Sequence, residues 1–280
     1  MSSLKHGALN NLSTVLLKEA VSPSIVRLTL NQPERCNVFS TELLQSLSAE
    51  LDFLAGDGAV RVLILAAAGK NFCGGLDFYE AIRSDDDIRL MSSLVIGILA
   101  KLRRLPQVVI AVAHGAARGG GAALLVAADF VVTAADLTLG FPEVRRGLEP
   151  LLLFPLLRRK LGGSALRELL LTGLPIDAAK SLQFGLVHRI VPCGEEKGQA
   201  EVLADEILQG DAAAVQTAKE VILAHETALY GPLEEEFALA LEPHLVSWQS
   251  ETVQKGVVAF LEKRKHREDL TENRQGSSIR

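Results

Sequence analysis

Lys70-Asn71-Phe72-Cys73-Gly74-Gly75-Leu76-Asp77 and His114-Gly115-Ala116-Ala117-Arg118-Gly119-Gly120-Gly121 each carry a glycine turn shortly after an apolar run. The runs are Val60-Arg61-Val62-Leu63-Ile64-Leu65-Ala66 and Val108-Val109-Ile110-Ala111-Val112-Ala113. The turns themselves, Cys73-Gly74-Gly75 and Gly119-Gly120-Gly121, lie 46 residues apart. Glycine lets backbone approach a ligand closely and accepts positive φ. Two backbone N–H groups converging on one carbonyl oxygen form an oxyanion hole. On spacing alone, two ordinary strand-to-helix connections are the commoner reading.

Outward from the turns, strands alternate with helices. Ile25 to Leu30 alternates apolar and polar and reads as a strand, and Asn31 to Asn37 as a turn-rich link. Ser40 or Thr41, with Glu42 behind, opens a helix through about Leu54. Val60 to Ala67 reads as a buried strand. Ser84 to Asp87 leads into a helix that reaches Leu105 and stops at Pro106. Val108 to Ala113 and Phe130 to Thr133 are further strands, and Gly119 to Ala128 is a small, apolar helix packed on backbone. This pattern predicts a layered α/β core. Beyond Asp211 it is helical only, with segments at Leu208–Leu229, Leu233–Ser247 and Thr252–Lys265. The expected division is a core over 1–210, a helical segment over 211–266 and a disordered polar tail over 267–280.

Composition narrows the class. The chain has 280 residues, 48% hydrophobic and 22% charged, which are ordinary globular values. A net charge of -5 gives no electrostatic footprint for nucleic acid. Cys36, Cys73 and Cys193 suggest no disulfide framework and point to a reducing compartment. No apolar run reaches membrane-spanning length, and the first 14 residues lack a signal-peptide core, so a cytoplasmic protein is expected. There is no G-x-G-x-x-G or phosphate-binding P-loop, and His225-Glu226 is followed by Leu229 where a zinc site needs histidine. The histidines and cysteines show no metal-ligand spacing.

The ordered set of motifs resembles the crotonase superfamily, the enoyl-CoA hydratase/isomerase family. Besides the two glycine signatures, the matching pieces are Asn31-Gln32-Pro33-Glu34-Arg35-Cys36-Asn37, Ala127-Ala128-Asp129, Phe141-Pro142-Glu143 with Gly147, Phe184-Gly185-Leu186-Val187 and Val191-Pro192. The resemblance spans about Val15 to Lys265. It implies a spiral of ββα turns followed by a helical trimerisation segment, giving a homotrimer or dimer of trimers. It also implies an acyl-CoA substrate with no cofactor beyond the CoA moiety. Gly74 and Gly120 would supply the N–H donors to the thioester oxygen, and Glu143 would be the acid/base. Arg35, Cys36 and Cys73 match the CoA-contacting turns, and Lys263 and Lys265 match the basic C-terminal helix; a solvated charge run reads equally well there.

One departure bears on the reaction. Hydratases of the family usually carry a second glutamate where this chain has Ala123. Hydration needs one group to activate water and another to deliver a proton. With one carboxylate, double-bond isomerisation is the first expectation, decarboxylation the second and hydration the third. The aspartate of dienoyl-CoA isomerases would fall at Leu151. Glu149 is a candidate second carboxylate, although a loop residue capping the next helix is the plainer reading. Arg118 stands where the family usually has an apolar residue, and could meet a substrate carboxylate or form a structural ion pair. Asp77 is expected to hold its loop through backbone N–H groups. Tyr79, Glu80 and Arg83 could face the acyl pocket or water. A non-catalytic CoA-thioester binder is the rival from another class.

Overall fold

The computed structural model describes residues 14–276, with side chains at 264 and 266–276 left aside. Along the chain run β1 (Leu16–Ser22), β2 (Ile25–Leu30), α1 (Thr41–Ala55), β3 (Val62–Ala67), α2 (Phe78–Ala81), α3 (Asp85–Arg104), β4 (Val108–Ala113), β5 (Ala116–Arg118), α4 (Gly120–Ala127), β6 (Phe130–Ala134) and β7 (Thr138–Gly140). Then follow α5 (Phe154–Lys160), α6 (Gly163–Thr172), β8 (Ile176–Asp177), α7 (Ala178–Gln183), β9 (Arg189–Val191), α8 (Glu196–Leu208), α9 (Ala212–Tyr230), α10 (Leu233–Trp248) and α11 (Glu251–Gly276). Short 3₁₀ turns occupy Pro33–Arg35 and Glu143–Arg146.

Six strands form the main sheet in the order β1-β2-β3-β4-β6-β9, antiparallel at the first pair and parallel thereafter. A smaller sheet joins β5, β7 and β8. Both faces of β3 and β4 are covered, which is why these strands read as continuous apolar runs. Leu63, Leu65, Val109 and Ala111 pack in the cluster that holds α1 and α3. Val62, Ile64, Ile110 and Val112 face the other way, against Ala200, Leu203 and Ala204 of α8.

The helix starts follow local chemistry. Ser40 Oγ accepts from Leu43 N–H at 3.2 Å and caps α1. Ser84 caps α3, which carries Asp85 to Asp87 in its first turn and Lys101, Arg103 and Arg104 in its last, matching the helix dipole. The predicted Leu208–Leu229 helix is α9, which starts later, at Ala212, because Asp211 Oδ1 accepts from Ala214 N–H at 2.9 Å and caps it; Leu208 ends α8. β1 and the two- and three-residue strands β5, β7, β8 and β9 offer too little periodicity to be read from sequence. α11 continues to Gly276, past Arg267 where composition predicts a tail.

The C-terminal helices close over the core. Phe237, Leu245 and Trp248 of α10 and Val253 and Val257 of α11 lie in the same buried cluster as the main sheet. α11 presses onto the Glu143–Arg146 turn: a Cβ on Gly256 would lie 2.1 Å from Arg146 O. Gly256→Ala should therefore displace that turn, costing about 1–3 kcal/mol as overpacking does. Thermal unfolding should show a fall in Tm of several degrees, and an unchanged Tm would refute this close approach.

Candidate active site

The two glycine turns are laced together by backbone. Cys73 N–H donates to Ala116 O at 3.1 Å, and Arg118 N–H donates to Cys73 O at 3.0 Å. The approach leaves no room for side chains. A Cβ on Gly121 would sit 2.5 Å from Cys73 O, and one on Gly75 (φ +88°) would sit 2.7 Å from Arg118 O. Gly119 has φ +51°, and a Cβ there would meet Glu143 Oε1 at 3.0 Å. The second turn thus lies directly against a carboxylate.

The donor pair differs from the one expected. Gly74 N–H donates to Cys36 O at 2.9 Å, so it is engaged within the fold and not free for a substrate oxygen. Phe39 N–H donates to Gly75 O at 2.8 Å and Asp77 N–H to Phe39 O at 3.2 Å. In that parallel bridge the N–H of the intervening Leu76 points away from Phe39. Among the described residues, the N–H groups of Leu76 and Gly120 have no acceptor, and both residues line one pocket. Gly120 is where the sequence predicts a donor; Leu76 replaces Gly74. Its sequence signal is its place immediately before the capping Asp77.

Glu143 opens its 3₁₀ turn after Pro142 and lines the same pocket. Its Oε2 is buried and has no hydrogen-bond partner among the described residues. Burial pushes its pKa up to about 7, against smaller downward effects of a backbone hydrogen bond and Arg146. Apolar lining comes from Phe39, Phe78, Val95, Leu148, Leu152 and Trp248. Arg118, Arg146, Glu149 and His244 add polar groups. His244 Nε2 accepts from Trp248 Nε1 at 3.0 Å and lies 3.3 Å from Ser92 Oγ. Desolvation lowers the pKa of His244 to about 4, so this ring is neutral near pH 7.

The remaining expected residues fall into three groups. Arg35 pairs with the buried Asp77 and keeps its side chain 39% exposed, while Cys36 is half-buried and adopts φ 57°. Lys263 and Lys265 are exposed on α11. Cys73 is fully buried, with both backbone groups paired and its thiol pushed up to about 12 by burial, so it has no surface for CoA and no nucleophilic role. Asp77 accepts from Tyr79 N–H at 3.0 Å, the loop-holding role read from sequence. Glu80 accepts from Thr41 N–H at 2.8 Å, and Tyr79, Glu80 and Arg83 all lie outside the pocket lining. Ala123 is fully buried in α4. Glu149 is exposed and lines the pocket, and the α5 N-cap is Leu153, so Glu149 does not cap that helix.

The raised pKa of Glu143 is also a statement about stability. Its folded value of about 7 exceeds the ordinary 4.5, so between those values the folded chain holds a proton that the unfolded chain has released. The group's contribution is fully present below pH 4.5 and is lost as pH rises toward 7. A shift of this size corresponds to about 3 kcal/mol. Glu143→Gln, which cannot ionise, should be more stable than wild type at pH 8, with the gap closing toward pH 5. Denaturant unfolding at both pH values measures it; a gap independent of pH would contradict the desolvated carboxylate.

Similarity to known proteins gives the family and the fold. Residues 20–269 match the family model described as enoyl-CoA hydratase/isomerase. A Thermus thermophilus protein, provisionally named an enoyl-CoA hydratase, is 35% identical over 243 residues, covering 84% of this chain and 93% of its own. An enoyl-CoA hydratase of Mycobacterium tuberculosis is 30% identical over 251 residues, covering 84% and 90%. The crystal structure of an enoyl-CoA hydratase from Mycobacterium smegmatis superposes with TM-score 0.73 at 30% identity, over 90% of this chain and 97% of that one. With its glycine turns joined beside a half-buried glutamate, this chain has the crotonase fold and belongs to the enoyl-CoA hydratase/isomerase family.

Proposed function

We propose that the protein isomerises the double bond of an enoyl-CoA thioester with Glu143 as its one proton carrier. Glu143 removes a proton from C2 of a 3-enoyl-CoA. The electron pair moves toward the thioester carbonyl, whose oxygen accepts hydrogen bonds from Leu76 and Gly120 N–H. The double bond then forms between C2 and C3, and the protonated Glu143 returns its proton at C4. The observation that carries this reading is the Glu143 carboxyl, with its Oε2 buried and a pKa of about 7, near the free Gly120 donor and with Ala123 in place of a second carboxylate on α4. A base near the working pH is half-ionised, which suits removal and return of one proton. The scheme calls for no cofactor beyond the CoA moiety.

Hydration is the second reading, favoured by Glu149 at the pocket mouth and by the relatives' names. Glu149 would then activate water while Glu143 delivers the proton. In either scheme Arg35, Cys36, Lys263 and Lys265 remain the proposed CoA contacts. The exposed Val221, Ile222 and Leu229 of α9 and Leu239 and Val246 of α10 support assembly as a trimer or dimer of trimers. No helix among the described residues is long and apolar enough to cross a membrane.

Wild type, Glu143→Gln and Glu149→Gln should be compared for isomerisation of 3-hexenoyl-CoA and hydration of crotonyl-CoA. Glu143→Gln should lower isomerisation by about 10²–10⁴, and Glu149→Gln should leave it within a few-fold. The wild-type rate should rise with pH through about 7, as Glu143 ionises. Efficient crotonyl-CoA hydration that falls on Glu149→Gln would replace isomerisation by hydration. Sedimentation velocity at micromolar concentration should show a trimer or hexamer, and a stable monomer would end the assembly proposal.

A further inference from the structure

We propose that the acyl group bound here carries a carboxylate, and that Arg118 and Arg146 recognise it. The inference rests on the acyl-CoA reading above and adds the chemical class of the acyl chain.

Both arginines line the pocket with Glu143. Arg146 ends the turn that Glu143 begins, and its Cζ lies 4.2 Å from the Phe260 ring centroid and 5.5 Å from that of Phe78. Aromatic rings position it, yet no hydrogen bond or ion pair reaches its nitrogens among the described residues. Arg118 donates from Nη1 to Ala117 O and Thr138 O and from Nη2 to Thr138 Oγ1. All three acceptors are neutral. A guanidinium has five N–H donors, so Nε–H and one Nη2–H of Arg118 remain unassigned.

Other arginines withdrawn from solvent behave differently. Arg27, Arg103 and Arg159 each pair with a glutamate. The pocket's own carboxylates do not fill that role: neither Glu143 nor Glu149 forms an ion pair with either arginine among the described residues, and Glu149 is exposed. Burial lowers the pKa of both guanidinium groups; at Arg146 the nearby Glu143 charge works against this and Arg118 adds to it. Two like charges therefore share one partly desolvated space, and Glu143, with a pKa of about 7, balances them only in part and without a direct ion pair among the described residues. Desolvated cations are costly unless paired. An aliphatic acyl chain would desolvate them further and pair with neither. A carboxylate at the end of the chain supplies the planar, two-oxygen acceptor that a guanidinium fork matches.

Calorimetric binding to matched CoA thioesters tests this. Succinyl-, glutaryl- and adipyl-CoA are compared with 4-methylpentanoyl-, 5-methylhexanoyl- and 6-methylheptanoyl-CoA, in which an isopropyl group replaces the carboxylate. In at least one pair the wild type should bind the carboxylated member about tenfold or more tightly, because the neutral analogue leaves buried polar groups unpaired. Arg146→Met and Arg118→Met should each abolish that preference, mainly by weakening the carboxylated member. Arg146→Lys, which keeps the charge, should restore part of it. Equal or tighter binding of the neutral members overturns the inference and leaves the acyl-CoA reading intact. Equal weakening of both members by Arg146→Met also overturns it, because the guanidinium would then serve CoA or the fold. Binding of no member at all removes the acyl-CoA reading and this inference together.

Discussion

Two stretches of backbone meet with no side chain between them, Gly121 against Cys73 and Gly75 against Arg118. The site's geometry depends on that contact. The Cys73–Ala116 and Arg118–Cys73 hydrogen bonds tie the loop after β3 to β5 and the start of α4. Asn37 fastens the loop from behind, its Nδ2 donating to Ala68 O and Asn71 O at 2.9 Å each. Asn71 Oδ1 in turn accepts from Ala116 N–H at 3.1 Å. With so many backbone groups engaged, the N–H groups of Leu76 and Gly120 are left without acceptors among the described residues and held in place by the fold.

The second constraint is desolvation. Glu143 starts on a short turn that would be open to water if the chain ended with the main sheet. α10 and α11 close that side: Trp248 and Phe260 pack around Phe78, and Gly256 lets α11 touch the Arg146 carbonyl. Removing water disfavours the ionised carboxylate and brings Glu143 into the neutral pH range. The same closure withdraws Arg146 and His244 from solvent, so the helical segment sets the electrostatics of a site whose chemical groups come from the core. Ala123 takes no part in that closure: it fills its place in α4 as any small apolar residue would.

The strands β2, β3, β4 and β6, the capped starts of α1 and α3, and the glycine turns were legible in the sequence. Each is a local matter: a run of β-branched residues, a serine before acidic residues, or a glycine where no other residue fits. Gly120 was legible for the same reason. Gly74 was not assigned correctly, because which N–H in a turn is free depends on what lies across from it, and here that is Cys36 O, 38 positions earlier in the chain. Cys73 looked like a CoA contact by its position in a motif, whereas the fold packs it behind Gly121. Glu149 looked like a helix cap, and the chain instead carries it to the pocket mouth.

By itself the sequence determined the α/β core and its family, because periodicity, capping and close backbone approach act over a few residues. Only the tertiary structure decided which backbone donors stay unpaired, how far Glu143 is desolvated, and that Arg118 and Arg146 line one pocket with no ion pair to either among the described residues. Those properties are set by groups distant in the chain, and burial and long-range pairing have no signature in local spacing.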